Sequence, residues 1–87
     1  MQTALITGGS RGIGLACVRA FVQAGYRTAF FYRSSEAAAQ ALASETGAYA
    51  IRCDVRCPDE VSAACLEALR LLGHIDVLVN NAGVAQQ

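Results

Sequence analysis

Apolar positions along this chain keep two different rhythms. Short unbroken runs, Ala4-Leu5-Ile6, Ala29-Phe30-Phe31 and Val77-Leu78-Val79, have the length and density of strands buried on both faces. Longer stretches between them repeat apolar residues at helical spacing. Residues 13–24 place Ile13, Ala16, Cys17, Ala20, Phe21 and Ala24 on one stripe. The alanine-rich stretch 36–46 forms a second helix, with Ser34 or Ser35 as its cap. A third begins at Pro58, a residue suited to the first helical position, with Asp59 and Glu60 against the positive end of the dipole. Its core stripe is Val61, Ala64, Cys65, Ala68, Leu69 and Leu72. Gly25, Gly47 and Gly73 stop the three helices.

Strands are expected at 3–7, 27–32, 48–53 and 75–79. Strict β-α-β-α-β-α-β alternation implies an α/β fold with four parallel strands and right-handed crossovers. The expected strand order is 3-2-1-4, with a ligand crevice beside strand 1, where the winding reverses.

Thr7-Gly8-Gly9-Ser10-Arg11-Gly12-Ile13-Gly14 lies at that crevice, between the first strand and the first helix. Backbone N–H groups at a helix start favour anions, and glycines let a phosphate approach them. The spacing G-x-x-x-G-x-G differs from the G-x-G-x-x-G fingerprint. It also lacks the Gly-Lys-Ser/Thr end of a P-loop, which excludes a nucleoside triphosphatase.

The second strand ends in Tyr32-Arg33-Ser34, where an acidic residue would bind the adenosine ribose hydroxyls. Arg33, helped by Ser34 and by Arg11 in the glycine turn, instead suits a 2′-phosphate and favours NADP(H) over NAD; the alternative is two solvated surface arginines. Asp54-Val55 follows the third strand. Its carboxylate either accepts a bond from an adenine amino group, with Val55 against the ring, or simply closes a turn. Asn80-Asn81-Ala82-Gly83 follows the fourth strand, on the same side as the glycine turn. Its amides can bridge loops, and Gly83 leaves room for a ribose or nicotinamide.

Composition narrows the function. The 87 residues have zero formal net charge, which argues against nucleic-acid binding or attachment to a membrane surface through basic charge. All seven basic residues are arginine, so lysine chemistry is absent from these residues. No stretch approaches membrane-span length and no signal-peptide pattern is visible, so a soluble cytoplasmic protein is expected. Cys17, Cys53 and Cys65 read as small core residues; Cys53 and Cys57 stand at C-x-x-x-C with the only histidine, His74, distant in sequence, and no metal site is expected. His74 is expected in a surface turn at the opposite end of the sheet from the crevice.

The glycine turn, Cys53-Asp54-Val55 and Asn80-Asn81-Ala82-Gly83, in this order and spacing, resemble the N-terminal half of a short-chain dehydrogenase/reductase. The resemblance covers almost the whole chain and is strongest to bacterial 3-oxoacyl-[acyl-carrier-protein] reductase-like members. A related group, reductases of a modified elongation factor P, is also similar. The resemblance implies a partial Rossmann fold lacking its C-terminal half, a single half-domain spanning 1–87. It implies that Gly8, Gly12 and Gly14, with Ser10 and Ile13, surround the pyrophosphate. Arg11, Tyr32, Arg33 and Ser34 would surround the 2′-phosphate, Asp54 and Val55 the adenine, and Asn81, Ala82 and Gly83 the ribose. The family's serine and its Tyr-x-x-x-Lys pair have no counterpart here, so these residues alone are expected to be inactive. The fourth strand would be an apolar edge of Ile75, Val77, Leu78 and Val79, protected only by Asp76, in a marginally stable unit prone to self-association. The parent enzyme is expected to be a homo-oligomer. The competing expectation is a non-catalytic nucleotide-binding or interaction module ending at Gln87.

Overall fold

The computed structural model describes residues 1–9 and 12–81. Four strands, β1 (Thr3–Thr7), β2 (Arg27–Tyr32), β3 (Tyr49–Arg52) and β4 (Val77–Asn80), form one parallel sheet in the order β3-β2-β1-β4. Three helices, α1 (Gly12–Gln23), α2 (Glu36–Thr46) and α3 (Pro58–Leu72), make the crossovers. The chain winds one way through β1, β2 and β3, then reverses to reach β4. Right-handed crossovers therefore put α1 and α2 on one face and α3 on the other.

Strand alternation sorts the core between those faces. Ala4, Ile6, Phe30 and Tyr32 join Val18 of α1 and Ala39 and Leu42 of α2. Leu5, Ala29, Phe31 and Ile51 join Ala64, Ala68 and Leu72 of α3. The central strands are almost wholly buried, whereas β4 alternates between half-buried and exposed positions. On the α3 face an apolar hollow of about 340 Å³ lies between Val61 and Cys65 of α3 and Leu78 of β4. Leu78 is 62% exposed.

The three glycine stops are present, each with positive φ. Gly25 closes α1 with paired bonds: its N–H donates to the Val22 carbonyl and the Tyr26 N–H to the Phe21 carbonyl, both at 3.0 Å. This arrangement brings the Phe21 and Tyr26 rings edge to face at 4.9 Å, an apolar clasp over the helix end.

Four details differ from expectation. The buried face of α1 centres on Gly14 and Val18, with Cys17 and Phe21 at its margin; Ile13, Ala16, Ala20 and Ala24 are exposed. The Gly8 carbonyl leaves no room for a side chain at Gly14, so close fit there bears on the helix's rotation as well as apolar spacing. Leu69 of α3 is 44% exposed, and Leu71 packs against the core instead. Ser35 stands at the N-cap of α2 without a side-chain cap; its carbonyl accepts from the Ala39 N–H. Ile75 and Asp76 precede β4 instead of belonging to it. Asp76 is tied to β1 while remaining exposed: its Oδ2 accepts from the Thr3 N–H at 2.8 Å.

Candidate functional site

The carboxyl ends of β1, β2 and β4 and the turn after β3 converge on one side of the sheet. Gly8 leaves β1 with φ 70° and Gly12 enters α1 with φ 63°, a left-handed region open mainly to glycine. A side chain at Gly12 would point into open space, whereas Gly9 and Gly14 have no room for one. A Cβ on Gly9 would stand 2.6 Å from the Phe30 Cβ and 2.9 Å from the Val18 Cγ2. A Cβ on Gly14 would stand 2.0 Å from the Gly8 carbonyl oxygen and 2.8 Å from the Asn81 Nδ2. Gly14 thus seats the helix against the turn, and Gly9 seats the turn against β2. The Gly9 N–H donates to the Phe31 carbonyl at 3.0 Å, which fixes the turn further. Gly8 and Gly12 shape its open side.

The first turn of α1 carries no acidic residue, so no side-chain carboxylate there offsets the positive end of its dipole. Ile13 is 69% exposed beside that open end. Ser10 and Arg11 lie outside the described residues, as do Ala82 and Gly83.

Asn81 ties β4 to the glycine turn. Its N–H donates to the Thr7 Oγ1 at 2.9 Å and its Nδ2 to the Gly8 carbonyl at 3.2 Å. The Thr7 hydroxyl in turn reaches the Asn80 Oδ1 at 3.2 Å. These bonds tie the carboxyl ends of β1 and β4 together at Thr7 and Gly8.

Tyr32 and Arg33, adjacent in sequence, diverge in space. Tyr32 is only 6% exposed and packs in the core with Ala39 and Leu42. Arg33 is exposed and makes no direct ion pair among the described residues. Ser34 follows it at the surface.

Asp54 is engaged in its own turn. Its Oδ1 accepts from the Arg56 N–H and Nε, both at 3.0 Å, and its Oδ2 from Arg56 Nη2 at 2.9 Å. The Asp54 N–H donates to Glu60 Oε1 at 2.9 Å, reaching the first turn of α3. Hydrogen bonds from Arg56 hold the Asp54 carboxyl down at about 2, against an ordinary 3.8. Three bonds leave room for one more on a carboxylate that can accept about four. Both readings of Asp54, turn closure and acceptance from a ligand amino group, are therefore geometrically compatible. Val55 stands half-buried beside it, at the mouth of the apolar hollow.

The groups suit different parts of a dinucleotide. A helix start without a first-turn carboxylate and an exposed guanidinium without a direct ion pair among the described residues suit phosphate. The Asp54 carboxylate can accept one more bond from an amino group. Sequence reasoning missed Gly9, Thr7 and Arg56. Only Arg56 left a local signal, the Asp-x-Arg spacing. The packing of Gly9 and the strand-bridging of Thr7 depend on residues distant in sequence. Among the described residues no cluster of His, Cys, Asp or Glu could hold a metal, and no helix is long and apolar enough to cross a membrane. All four cysteines are free, and burial pushes the Cys53 thiol up.

The short chain dehydrogenase family profile matches residues 2–87. The cyclic-di-GMP-binding biofilm dispersal mediator protein of Escherichia coli is 47% identical over 83 residues, covering 95% of this chain and 33% of the relative. Acetoacetyl-CoA reductase of Paracoccus denitrificans is 42% identical over 85 residues, covering 98% of this chain and 35% of the relative. The crystal structure of BdcA in complex with NADPH superposes with a TM-score of 0.76 at 46% identity, over 91% of this chain and 31% of that one. The chain thus spans about a third of the length of the relatives it matches. With the glycine turn, the sheet order and the tie through Asn81, these matches establish that the chain belongs to the short chain dehydrogenase family.

Proposed function

We propose that this chain is the cofactor-binding portion of an NADP(H)-dependent oxidoreductase acting on a carbonyl group, of the 3-oxoacyl reductase type. The observation that carries the reading is Arg33, an exposed cation without a direct partner among the described residues, where an NAD-preferring site would place a carboxylate. Gly8, Ser10, Gly12 and Ile13 would surround the pyrophosphate, with Gly14 holding the helix close beneath. Arg33, Arg11 and Ser34 would take the 2′-phosphate, while Tyr32 supports them from the core. Asp54 and Val55 would receive the adenine, and Asn81, Ala82 and Gly83 the ribose toward the nicotinamide. The bound cofactor supplies the hydride.

These residues bind and orient; none of them carries proton transfer. The family's Tyr-x-x-x-Lys pair is not among them, because the 87 residues contain no lysine. Acetoacetyl-CoA, named in the Paracoccus relative, is a 3-oxoacyl thioester and supports that substrate class. The reading puts the working protein in the cytoplasm and the parent enzyme in a homo-oligomer.

The Escherichia coli relative's name supports a second reading, a non-catalytic module that binds a cyclic dinucleotide. Calorimetric titration of the chain with NADPH, NADH and cyclic di-GMP separates the two. Saturable binding with NADPH preferred is the expected result. Preference for cyclic di-GMP would replace the first reading with the second.

A further inference from the structure

Arg33 and Asp54 leave neighbouring parallel strands. Tyr32 is in register with Arg52, and the Cys53 N–H donates to the Tyr32 carbonyl at 2.8 Å, so the pairing extends to the residues just before both side chains. Adjacent strands run about 4.8 Å apart. An arginine on one strand end can reach a carboxylate on the next. Asp54 already feels the Arg33 charge. Yet the direct ion pair of Asp54 is with Arg56, by two side-chain bonds and one from the backbone N–H. The backbone of that turn is fixed as well: the Cys57 N–H donates to the Asp54 carbonyl, and Glu60 accepts from the Asp54 N–H.

We propose that Arg56 is a positioning residue that sets cofactor preference by holding the Asp54 carboxylate away from Arg33. The inference rests on the NADP(H) reading above and extends it to a residue that need not touch the cofactor. The charge arithmetic is simple. With Arg56 present, the ionised Asp54 carboxylate is balanced by that guanidinium and Arg33 stays available to a dianionic 2′-phosphate. Without it, Asp54 becomes an internal competitor that pairs with Arg33 and repels the phosphate. NADH has no 2′-phosphate and does not depend on this balance. Arg56 is side-chain exposed and outside the core, so its replacement leaves the sheet intact.

The test is calorimetric titration of the chain and its Arg56→Gln, Asp54→Asn and doubly substituted variants with NADPH and with NADH. Circular dichroism checks the fold of each. Arg56→Gln is expected to lower the NADPH-to-NADH affinity ratio about tenfold, the equivalent of one charge-assisted hydrogen bond. Adding Asp54→Asn to it should restore the ratio, because no carboxylate then remains to capture Arg33. The asparagine keeps an oxygen able to accept from the adenine. A wild-type chain that prefers NADPH while Arg56→Gln keeps the same ratio overturns this inference alone. A double variant as impaired as the single one also overturns it, because Arg56 would then act on the phosphate directly. A wild-type chain that binds neither nucleotide overturns the cofactor reading and this inference together.

Discussion

The two ends of the sheet are built from the same parts and put them to different use. A threonine stands at each end of β1: Thr3 clasps the strand to the turn that enters β4, and Thr7 clasps it to the end of β4. At the amino end, Thr3 Oγ1 donates to the His74 carbonyl at 2.6 Å and accepts from the Asp76 N–H at 3.0 Å. The Asp76 carboxylate closes the loop onto the Thr3 N–H and lies 3.0 Å from His74 Nε2. The polar groups at this end satisfy one another. At the carboxyl end, Thr7 and Asn81 make a comparable clasp, but the first turn of α1 carries no acidic residue and Arg33 makes no direct ion pair among the described residues. Polar groups that pair with one another are occupied, whereas an exposed charge beside a fixed strand end remains available to a ligand.

The sharpest way to break the carboxyl end is Gly14→Ala. The added carbon meets the Gly8 carbonyl, a backbone group that cannot swing aside as the Asn81 side-chain amide could. A loss of about 3 kcal/mol or more is expected, at the upper end of overpacking costs. Urea unfolding should show it, and the Asn81 tie and NADPH binding should go with it.

Arg33→Gln leaves the frame intact and removes the charge. NADPH affinity should fall about 10- to 100-fold by calorimetry, with NADH affinity nearly unchanged. Equal loss for both nucleotides would move the phosphate site elsewhere. Replacing Tyr32 by aspartate is a poorer probe, because that side chain is buried and a carboxylate there would disturb the core.

Thr3→Val breaks the amino end instead. Thr3 is 1% exposed, and the lost hydroxyl strips partners from His74 and Asp76. About 1–3 kcal/mol of stability should disappear in urea unfolding. The NADPH-to-NADH ratio should stay the same, which separates the two ends.

Acid distinguishes them more gently. The folded carboxyl of Asp54 titrates at about 2 against an ordinary 3.8. The Asp76 carboxyl is lowered as well, chiefly by the Thr3 backbone N–H. A depressed folded pKa gives stability that is complete above the ordinary value and fades as pH falls toward the folded one. The melting midpoint should therefore drop between about pH 4 and pH 2, and Asp54→Asn should make that drop shallower. The smallest effect is expected from Arg19→Ala. Its pair with Glu45 is exposed, so the melting midpoint should not move measurably.

The reach of the sequence follows the range of the interactions. Helices α2 and α3 begin and end where Glu36, Pro58, Gly47 and Gly73 indicate, because caps and dipoles act within a few residues. The strand order follows from alternation and handedness. The start of β4 was not legible, since Asp76 answers to Thr3 at the other end of the chain. The rotation of α1 was hidden for the same reason, being set by the Gly8 carbonyl. In the candidate site, the glycine turn and Arg33 were visible as residue types at a strand end. The restraint of Asp54 by Arg56 left only its two-residue spacing as a signal, and the division of labour among the glycines required the folded geometry.

The most direct test is a two-dimensional amide NMR titration of the isotopically labelled chain with NADPH. The account predicts shifts concentrated at Gly8, Gly9, Gly12, Arg33, Asp54 and Asn81, with Thr3, His74 and Asp76 unmoved. Shifts centred on the Thr3 end, or none at saturating NADPH in a folded chain, would contradict it.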